Sequence, residues 1–259
     1  MSNDTFNIQA YLERINYEGK TDVSYETLYG IHLAHTFNVP FENLDVYLRR
    51  PIPLDKESLF KKIVLNKRGG YCFEMNGLFS FVLQDLGFKV SNLLARGTRD
   101  GITYSPKTHQ VLMVELDGKR YLADVGYGND GIEAPVLMEP NLEQKHFHNT
   151  YRILEDPKVG YILQRKVDDG FRIMYAFTLE ECSPMDYVMS NHYTATYPES
   201  LFIKIRLCTM PSKEGRITLT DGNLKVIKDG TITETKLSGD EKEFNELLKK
   251  YFKLDMETV

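Results

Sequence analysis

The chain has 259 residues, of which 42% are hydrophobic and 27% are charged, a composition typical of a folded protein with a full core in one large or two modest domains. Its net charge of −5 argues against a nucleic-acid partner, which usually requires a basic face. No run reaches the roughly 18 apolar residues of a membrane span, and the polar first four residues do not resemble a secretion signal. We therefore expect neither a nucleic-acid nor a membrane partner.

The apolar spacing of the first 90 or so residues is helical. Residues 8–15 form one apolar stripe. Ser24 is the predicted N-cap of a second helix that ends before Pro40, and Asp55 is the predicted N-cap of a third. The first part of the chain is therefore predicted to be a set of helices.

A fourth helix is predicted directly after the glycine pair in Arg68-Gly69-Gly70-Tyr71-Cys72-Phe73-Glu74-Met75-Asn76. The apolar residues that follow recur at three- and four-residue intervals, and Gly87 is a natural C-cap. Cys72 then lies at or near the first turn, where unpaired backbone N–H groups and the helix dipole favour a thiolate over a thiol. Arg68 adds positive charge nearby. Cys72 is thus a candidate nucleophile, although helix starts also hold unreactive cysteines.

From about residue 89 the spacing becomes strand-like, and the clearest unit is a β-hairpin around Asp117-Gly118. Asp-Gly between two apolar runs is the strongest short-range hairpin signal. With these two residues as the loop, Leu116 pairs with Lys119, and the register makes His109 and Asp124 diagonal neighbours on one face. Such neighbours lie roughly 7–8 Å apart at the backbone, within reach of an imidazole and a carboxylate.

The rest of the chain reads as a meander with a helical end. Further strands are predicted over residues 151–154, 161–166, 171–177 and 202–208. A loop-like stretch runs through Pro184 and Pro198, and Asp240 begins an amphipathic C-terminal helix. Helices followed by strands and a mixed end favour an α+β fold over a doubly wound parallel sheet.

A histidine oriented by a carboxylate is the base half of a nucleophilic triad, because the acid fixes the tautomer and leaves the other ring nitrogen to face a thiol. Cys72, His109 and Asp124 together form such a candidate set. A structural interpretation is equally open from the spacing alone. A histidine on a strand is more often structural than catalytic, and Asp124 could satisfy backbone groups before Gly126 and Gly128.

The other cysteines and histidines carry weaker signals. Cys182 and Cys208 lack a glycine-flanked helix start, so we expect buried, unreactive thiols. Three cysteines without a Cys-x-x-Cys spacing make a disulfide framework unfavourable and favour the cytoplasm. His146 and His148 could share a strand face, but no matching Cys or acidic cluster accompanies them, so no metal is expected. We expect His32, His35 and His192 to be surface, capping or packing residues.

The segment over residues 68–76 resembles the cysteine signature of the arylamine N-acetyltransferases. Three further segments match motifs of that family in order and spacing, namely Val39-Pro40-Phe41-Glu42-Asn43-Leu44, Thr108-His109-Gln110-Val111-Leu112 and Leu122-Ala123-Asp124-Val125-Gly126-Tyr127-Gly128. Four motifs in this order make the resemblance highly specific over about residues 39–128.

The resemblance implies an α+β fold with a cysteine-protease or transglutaminase-like core. Its parts would be a helical domain over residues 1–88, an antiparallel β-barrel-like domain over residues 89–200 and an α/β lid over residues 201–259. It also implies acetyl-coenzyme A as donor and an arylamine, arylhydrazine or N-hydroxyarylamine as acceptor, in detoxification of xenobiotics or in biosynthesis. Carried over by motif, Cys72 would accept the acetyl group in a ping-pong transfer, His109 would be its base and Asp124 the orienting acid.

The same resemblance suggests contacts around this centre. Phe41 and Tyr71 would be walls for a flat aromatic acceptor, although core packing explains Phe41 equally well. Tyr193 and Gly128 would contact coenzyme A. Ser105-Pro106-Lys107 departs from the small residues that some members place there, which leaves the coenzyme A contacts of this segment open.

Glu42 and Arg68 match an acidic and a basic position that the family pairs near the site. We interpret this pair as support for the cysteine loop rather than as part of the chemistry.

Two other functions remain open from the sequence. A papain- or transglutaminase-like cysteine hydrolase uses the same Cys, His, Asp order, but its acyl donor is a peptide or glutamine amide. A non-catalytic binding module would use Cys72 only for packing. Acetylation of Cys72 by acetyl-coenzyme A would separate the three interpretations.

Overall fold

The computed structural model describes residues 5–98 and 100–256, so the polar first four residues lie outside the described part. Helices dominate its beginning, as the apolar spacing predicts. They are α1 (Ile8–Arg14), α2 (Tyr25–Asn38), α3 (Leu44–Tyr47), α4 (Lys56–Phe60) and α5 (Cys72–Asp85). Ser24 accepts from the Thr27 N–H at 3.2 Å and Asp55 from the Ser58 N–H at 2.9 Å, which confirms both predicted N-caps. The chain widens after α4 into a π-helical turn over Lys61–Leu65.

Helix α5 is the centre of the larger core. It begins at Cys72, as predicted, and Phe73, Leu78 and Phe79 on it are fully buried. Gly87 follows the C-cap with φ +94°, in the left-handed region that glycine adopts without strain. Because the helix is buried on nearly all sides, its first turn has a fixed position.

An eight-stranded antiparallel sheet follows. Its strands are β2 (Lys89–Gly97), β3 (His109–Leu116), β4 (Lys119–Ala123), β5 (Val136–Leu137), β6 (Gln144–His146), β7 (Asn149–Asp156), β8 (Gly160–Val167) and β9 (Gly170–Phe177), in the spatial order β5-β4-β3-β2-β9-β8-β7-β6. Leu116 pairs with Lys119, which confirms the predicted hairpin register. Asp117 and Gly118 both have positive φ, as a type I′ turn requires.

The sheet curls until its two edge strands meet. Gln144 on β6 donates to the carbonyl of Leu137 on β5 at 2.9 Å and accepts from the Leu137 N–H at 2.8 Å. Side chains along β2 and β3 alternate between the two faces of the curled sheet. Val111, for example, belongs to the core inside the sheet, whereas the next residue, Leu112, packs outside in the core that contains α5. The central part of the chain is thus barrel-like, which confirms the predicted fold class.

A second antiparallel sheet joins the two ends of the chain. It contains β1 (Phe41–Glu42), β10 (Leu207–Ser212), β11 (Gly215–Thr220), β12 (Asn223–Lys228) and β13 (Thr231–Lys236), in that order, and α7 (Glu241–Phe252) packs on it. Phe41 pairs with Thr209, so the early motif strand is held by the late sheet.

Two local predictions were wrong. The stretch after Pro184 is a helix, α6 (Pro184–Thr196), and not a loop. A proline at the first helical position starts a helix at no hydrogen-bonding cost, and Asp186 accepts from the Ser183 N–H at 2.7 Å. The strand predicted from residue 202 begins only at Leu207, after a short 3₁₀ turn. Within the described ranges, every helix is too short or too polar to cross a membrane.

Candidate active site

The candidate nucleophile lies at the junction of helix and barrel. Cys72 is the first residue of α5 and is 4% exposed. Its Sγ lies 3.8 Å from the carbonyl oxygen of Thr108, and it is close enough to His109, the first residue of β3, to raise the pKa of that histidine. The structure therefore brings the predicted cysteine and histidine together.

His109 is oriented by Asp124, as the hairpin register predicts. The His109 Nε2 lies 2.7 Å from Asp124 Oδ2, and both side chains are buried. Burial opposes the charged imidazole, but the Asp124 carboxylate and the Cys72 side chain outweigh it and raise the pKa of His109 to about 10. Since Nε2 is bound to Asp124, Nδ1 is the ring nitrogen left for Cys72.

Asp124 is held by more donors than the sequence suggested. Asn76 Nδ2 and the Gly126 N–H each donate to Oδ1 at 2.9 Å, and the Tyr175 hydroxyl donates to Oδ2 at 2.9 Å, beside His109. Burial alone would raise the pKa of Asp124, but the His109 charge and these hydrogen bonds lower it. The carboxylate is therefore kept ionised inside the protein.

A buried histidine supports Asp124 from behind. The Asp124 N–H donates to His32 Nε2 at 3.1 Å, and His32 Nδ1 lies 3.1 Å from the carbonyl oxygen of Glu133. Because a carbonyl only accepts, the proton is on Nδ1. Burial lowers the pKa of His32 to about 4, so the ring is neutral. His32 is a packing residue, as expected. Its hydrogen bond with the Asp124 backbone is a further contact that the sequence around His32 does not indicate.

The turn after Asp124 lies directly against the start of α5. A Cβ atom on Gly126 would be 2.8 Å from Cys72 Cα and 2.9 Å from Asn76 Nδ2. Only a residue without a side chain permits this approach. Asn76 in turn accepts from the Val125 N–H at 2.9 Å. The helix and the hairpin are thus in contact at the level of the reacting groups.

A buried cluster of charges lies beneath the cysteine loop. Arg68 Nη2 is 2.7 Å from Glu42 Oε1 and 3.2 Å from Asp45 Oδ2. Lys62 Nζ is 2.7 Å from both Asp45 Oδ2 and Glu74 Oε1. The predicted Glu42–Arg68 pair exists, and three further residues extend it.

The charge cluster, defined by Glu42, Asp45, Lys62, Arg68 and Glu74, also fixes the backbone before Cys72. Glu74 Oε2 accepts from the Tyr71 N–H at 3.1 Å, one residue before the helix. This bond satisfies an N–H group that the first helical turn leaves unpaired.

The predicted contacts do not separate by ligand, because one acceptor contact and one coenzyme A contact share a pocket while the other two lie at α6. Phe41 and Gly128 border one pocket with Asp124, and a Cβ on Gly128 would be 3.2 Å from the Phe41 ring. Tyr71 is fully buried, and its hydroxyl donates to Asn191 on α6. Tyr193, also on α6, is 39% exposed and stacks on a second tyrosine with ring centroids 4.7 Å apart.

Helix α6 is attached beside the candidate centre. Ser190 Oγ donates to the carbonyl of Lys107 at 2.9 Å, two residues before His109. Lys107 itself pairs with Glu180 at 3.2 Å.

The weaker sequence candidates lie away from this centre. Cys208 is fully buried, as expected, but Cys182 is only half-buried, so the prediction for it was wrong in part. His146 packs on Tyr151 in the barrel, and His148 contacts a backbone carbonyl. In the part of the chain that the structure describes, no three His, Cys, Asp or Glu residues are grouped to hold a metal ion.

The raised pKa of His109 gives a pH prediction. The unfolded chain has the ordinary value of 6.5, whereas the folded protein has about 10. The imidazolium therefore contributes stability that is fully present below pH 6.5 and lost as the pH rises through 10. In Asp124→Asn, burial should lower the His109 midpoint below its ordinary value. A pH titration followed by the nitrogen-15 NMR signals of His109 measures the midpoint in the wild type and in Asp124→Asn. A wild-type midpoint near 6.5 would contradict the raised pKa of His109.

The charge cluster predicts that removing the buried cation of Arg68 lowers stability more than removing the exposed cation of Lys89. Arg68→Met leaves Glu42 buried without its cation, so the free energy of unfolding should fall by about 3–5 kcal/mol, together with activity. Lys89→Met removes a cation that is 72% exposed and paired with Glu115, and should cost about 1 kcal/mol or less. Urea denaturation measures both. Wild-type stability and full activity in Arg68→Met would show that the cluster does not support the loop.

The close approach of Gly126 predicts a catalytic defect from one methyl group. Gly126→Ala should displace the first turn of α5, because the new Cβ meets backbone atoms that cannot rotate away. Gly77→Ala is the matched control on α5, since its Cβ would meet the flexible end of the Leu59 side chain at 3.0 Å and Gln110 Oε1 at an ordinary contact distance of 4.0 Å. We expect a fall in turnover of tenfold or more, on the order of the loss from a small misplacement, for position 126 alone. Equal turnover in the two variants would refute this.

Comparisons with known proteins agree with the geometry. The family model described as N-acetyltransferase matches residues 24–259. The chain is 39% identical over 226 residues to the arylamine N-acetyltransferase of Escherichia coli (strain K12), which covers 86% of this chain and 80% of the relative. The solved arylamine N-acetyltransferase from Salmonella typhimurium matches with a TM-score of 0.91 at 34% identity, over 95% of this chain and 90% of that one. The Mycobacterium marinum arylamine N-acetyltransferase in complex with CoA matches with a TM-score of 0.90 at 32% identity, over 97% and 94%. The chain therefore belongs to the arylamine N-acetyltransferase family.

Proposed function

We propose that the protein transfers an acetyl group from acetyl-coenzyme A to the nitrogen of an arylamine, arylhydrazine or N-hydroxyarylamine through acetyl-Cys72. The observation that carries this proposal is the buried group of Cys72, His109 and Asp124, in which Asp124 binds His109 at 2.7 Å and keeps it protonated beside Cys72. Family membership supports the donor, since a relative of known structure is in complex with CoA.

In the first half-reaction the Cys72 thiolate attacks the carbonyl carbon of the acetyl thioester. A new carbon–sulfur bond forms, and the bond to coenzyme A breaks as the tetrahedral intermediate collapses. His109 donates its Nδ1 proton to the leaving thiolate, while Asp124 stays ionised and stabilises the imidazolium. The Cys72 N–H, at a helix position without an intrahelical partner, can donate to the developing oxyanion.

In the second half-reaction the amine attacks acetyl-Cys72. An arylamine is largely neutral at pH 7, so its lone pair is available. His109, now neutral, takes the proton that the nitrogen loses as the amide forms, and Cys72 leaves as the thiolate. Each turnover thus restores the starting pair of charges.

The surroundings support a flat aromatic acceptor. Phe41 is its proposed contact, and the Tyr127 ring meets His109 edge-on with centroids 5.2 Å apart. Tyr71 would reach the acceptor only after its contact with Asn191 opens.

Tyr193 on α6 and Gly128 remain our proposed contacts for coenzyme A. Tyr193 offers an exposed, stacked aromatic face three residues after Ser190, which binds the Lys107 carbonyl. We also propose a cytoplasmic location, which the three free thiols support.

Acetylation of Cys72 tests the function directly. The protein incubated with acetyl-coenzyme A should gain one acetyl group on Cys72 by mass spectrometry, and an arylamine should then remove it. Cys72→Ala should lose at least about a thousandfold in turnover. Cys182→Ser, which replaces the half-buried thiol, is the matched control, and Cys72 should still be acetylated in it.

The rival functions give different outcomes in the same experiment. A cysteine hydrolase would leave Cys72 without an acetyl group and cleave a peptide or glutamine amide. A binding module would show the same behaviour in Cys72→Ala as in the wild type.

A further inference from the structure

A buried histidine that takes no part in the reaction steps above binds the loop that carries the acid of the triad. This loop connects β4, which ends at Ala123, to β5, which begins at Val136. His32 on α2 is fully buried and hydrogen-bonds the backbone of the loop at two points. The two points lie 92 and 101 residues further along the chain, so α2 joins parts of the protein that are distant in sequence.

The first bond is made at Asp124 itself. The pairing of β3 with β4 ends at Leu112 and Ala123, so the Asp124 N–H lies just beyond the ladder. His32 Nε2 accepts from this N–H at 3.1 Å. Asp124 is 1% exposed, and a buried backbone N–H needs an acceptor within the protein. His32 therefore takes the place that a strand partner would have.

The second bond is made near the other end of the loop. His32 Nδ1 donates to the Glu133 carbonyl at 3.1 Å. The Glu133 carboxylate is itself anchored on β7, because it accepts from Asn149 Nδ2 at 2.6 Å and from the Tyr151 hydroxyl at 3.3 Å. The imidazole thus links the acid of the triad to a part of the barrel that is fixed independently of α5.

This pair of bonds requires one form of the imidazole ring. An N–H only donates and a carbonyl only accepts, so Nε2 must be unprotonated and Nδ1 must carry the proton. Burial lowers the pKa of His32 to about 4, which keeps a second proton off Nε2 at neutral pH. The Phe79 ring on α5 meets the imidazole edge-on with centroids 5.6 Å apart, so the orientation of the ring is also set by packing.

His32 differs from the other supports of Asp124 in the part of that residue that it holds. Asn76 and Tyr175 donate to the carboxylate and so stabilise its charge. His32 binds the backbone of Asp124 and so fixes the point from which the side chain extends. A shift of this backbone would move the carboxylate and, with it, the His109 ring. Small misplacements of reacting groups lower turnover by up to about a hundredfold.

We propose that His32 is a positioning residue for acetyl transfer, which holds the Asp124 backbone where the carboxylate meets His109 in the reacting geometry. The inference rests on the proposed function, because it assigns a role within that reaction. His32 acts on the thiol of Cys72 through Asp124 and His109.

Two substitutions separate the two bonds of His32. In His32→Gln the amide oxygen can take the position of Nε2 and accept from the Asp124 N–H, but the Glu133 carbonyl loses its donor. In His32→Asn the shorter amide can donate to the Glu133 carbonyl, but the Asp124 N–H loses its acceptor. Both side chains are neutral and both lose the ring contact with Phe79, so each variant is the matched control of the other.

The main measurement is the rate of Cys72 acetylation in a single turnover. The rate constant should fall about tenfold to a hundredfold in His32→Asn and change by about threefold or less in His32→Gln. The concentration of acetyl-coenzyme A that gives half the maximal rate should change by about twofold or less in both, because the contacts of His32 are with the protein itself. The nitrogen-15 midpoint of His109 should fall in His32→Asn and stay at about 10 in His32→Gln.

The other outcomes overturn the proposal. Equal losses in the two variants would show that His32 only packs in the core, and no loss in either would show that Asp124 keeps its place without it. A loss confined to His32→Gln would assign the effect to the Glu133 carbonyl. A wild type that is not acetylated would instead contradict the proposed function.

The wild type supplies a test that does not depend on the folding of a variant. At neutral pH the nitrogen-15 shifts should show an unprotonated Nε2 and a protonated Nδ1 on His32. A scalar coupling across the hydrogen bond should also join Nε2 to the amide nitrogen of Asp124. A protonated Nε2, or an Asp124 amide that exchanges with solvent as fast as an unbonded one, would overturn the positioning role whatever the variants show.

Discussion

The relative position of helix α5 and the barrel at Cys72 and His109 depends on the buried carboxylate of Asp124. It accepts from Asn76 on α5, from His109 on β3 and from Tyr175 on β9, so three elements distant in sequence meet at one charge. A buried carboxylate that lost one of these donors would face a desolvation cost without compensation, and this cost resists any shift of helix against barrel. The same contacts that stabilise the charge therefore set the distance between the thiol and its base.

The first turn of α5 is held from two sides by different kinds of interaction. On the hairpin side, Asp124 and Val125 are hydrogen-bonded to Asn76 of α5, and Gly126 approaches the turn without a side chain. On the side of the cysteine loop, the charge cluster pairs Glu74 with Lys62 and Arg68 with Glu42. A nucleophile between two rigid supports needs little reorganisation when it attacks, which is how preorganised sites lower activation barriers.

The local part of this arrangement could be predicted from the sequence, and the non-local part could not. The start of α5 and the hairpin register depend on glycines, apolar spacing and a two-residue turn within a few residues of each other. Tyr175 reaches Asp124 from 51 residues away, through β9 on the far side of β2. No short-range pattern marks such a contact, since it arises only when the sheet curls. Lys62 was missed for a related reason, because its π-helical turn departs from the 3.6-residue spacing that identifies helices.

The closure of the barrel by Gln144 has a consequence for where the sheet can open locally. At this seam a side-chain amide takes the place of a strand, and it joins β6 to β5 through one residue, Leu137. Local opening of a sheet begins where the fewest hydrogen bonds must break together, so we expect the seam, with two such bonds, to open first. Strands β3, β2 and β9 lie in the middle of the spatial order, with His109 and Tyr175 on them. Opening of the seam alone would therefore leave His109 and Tyr175 on paired strands.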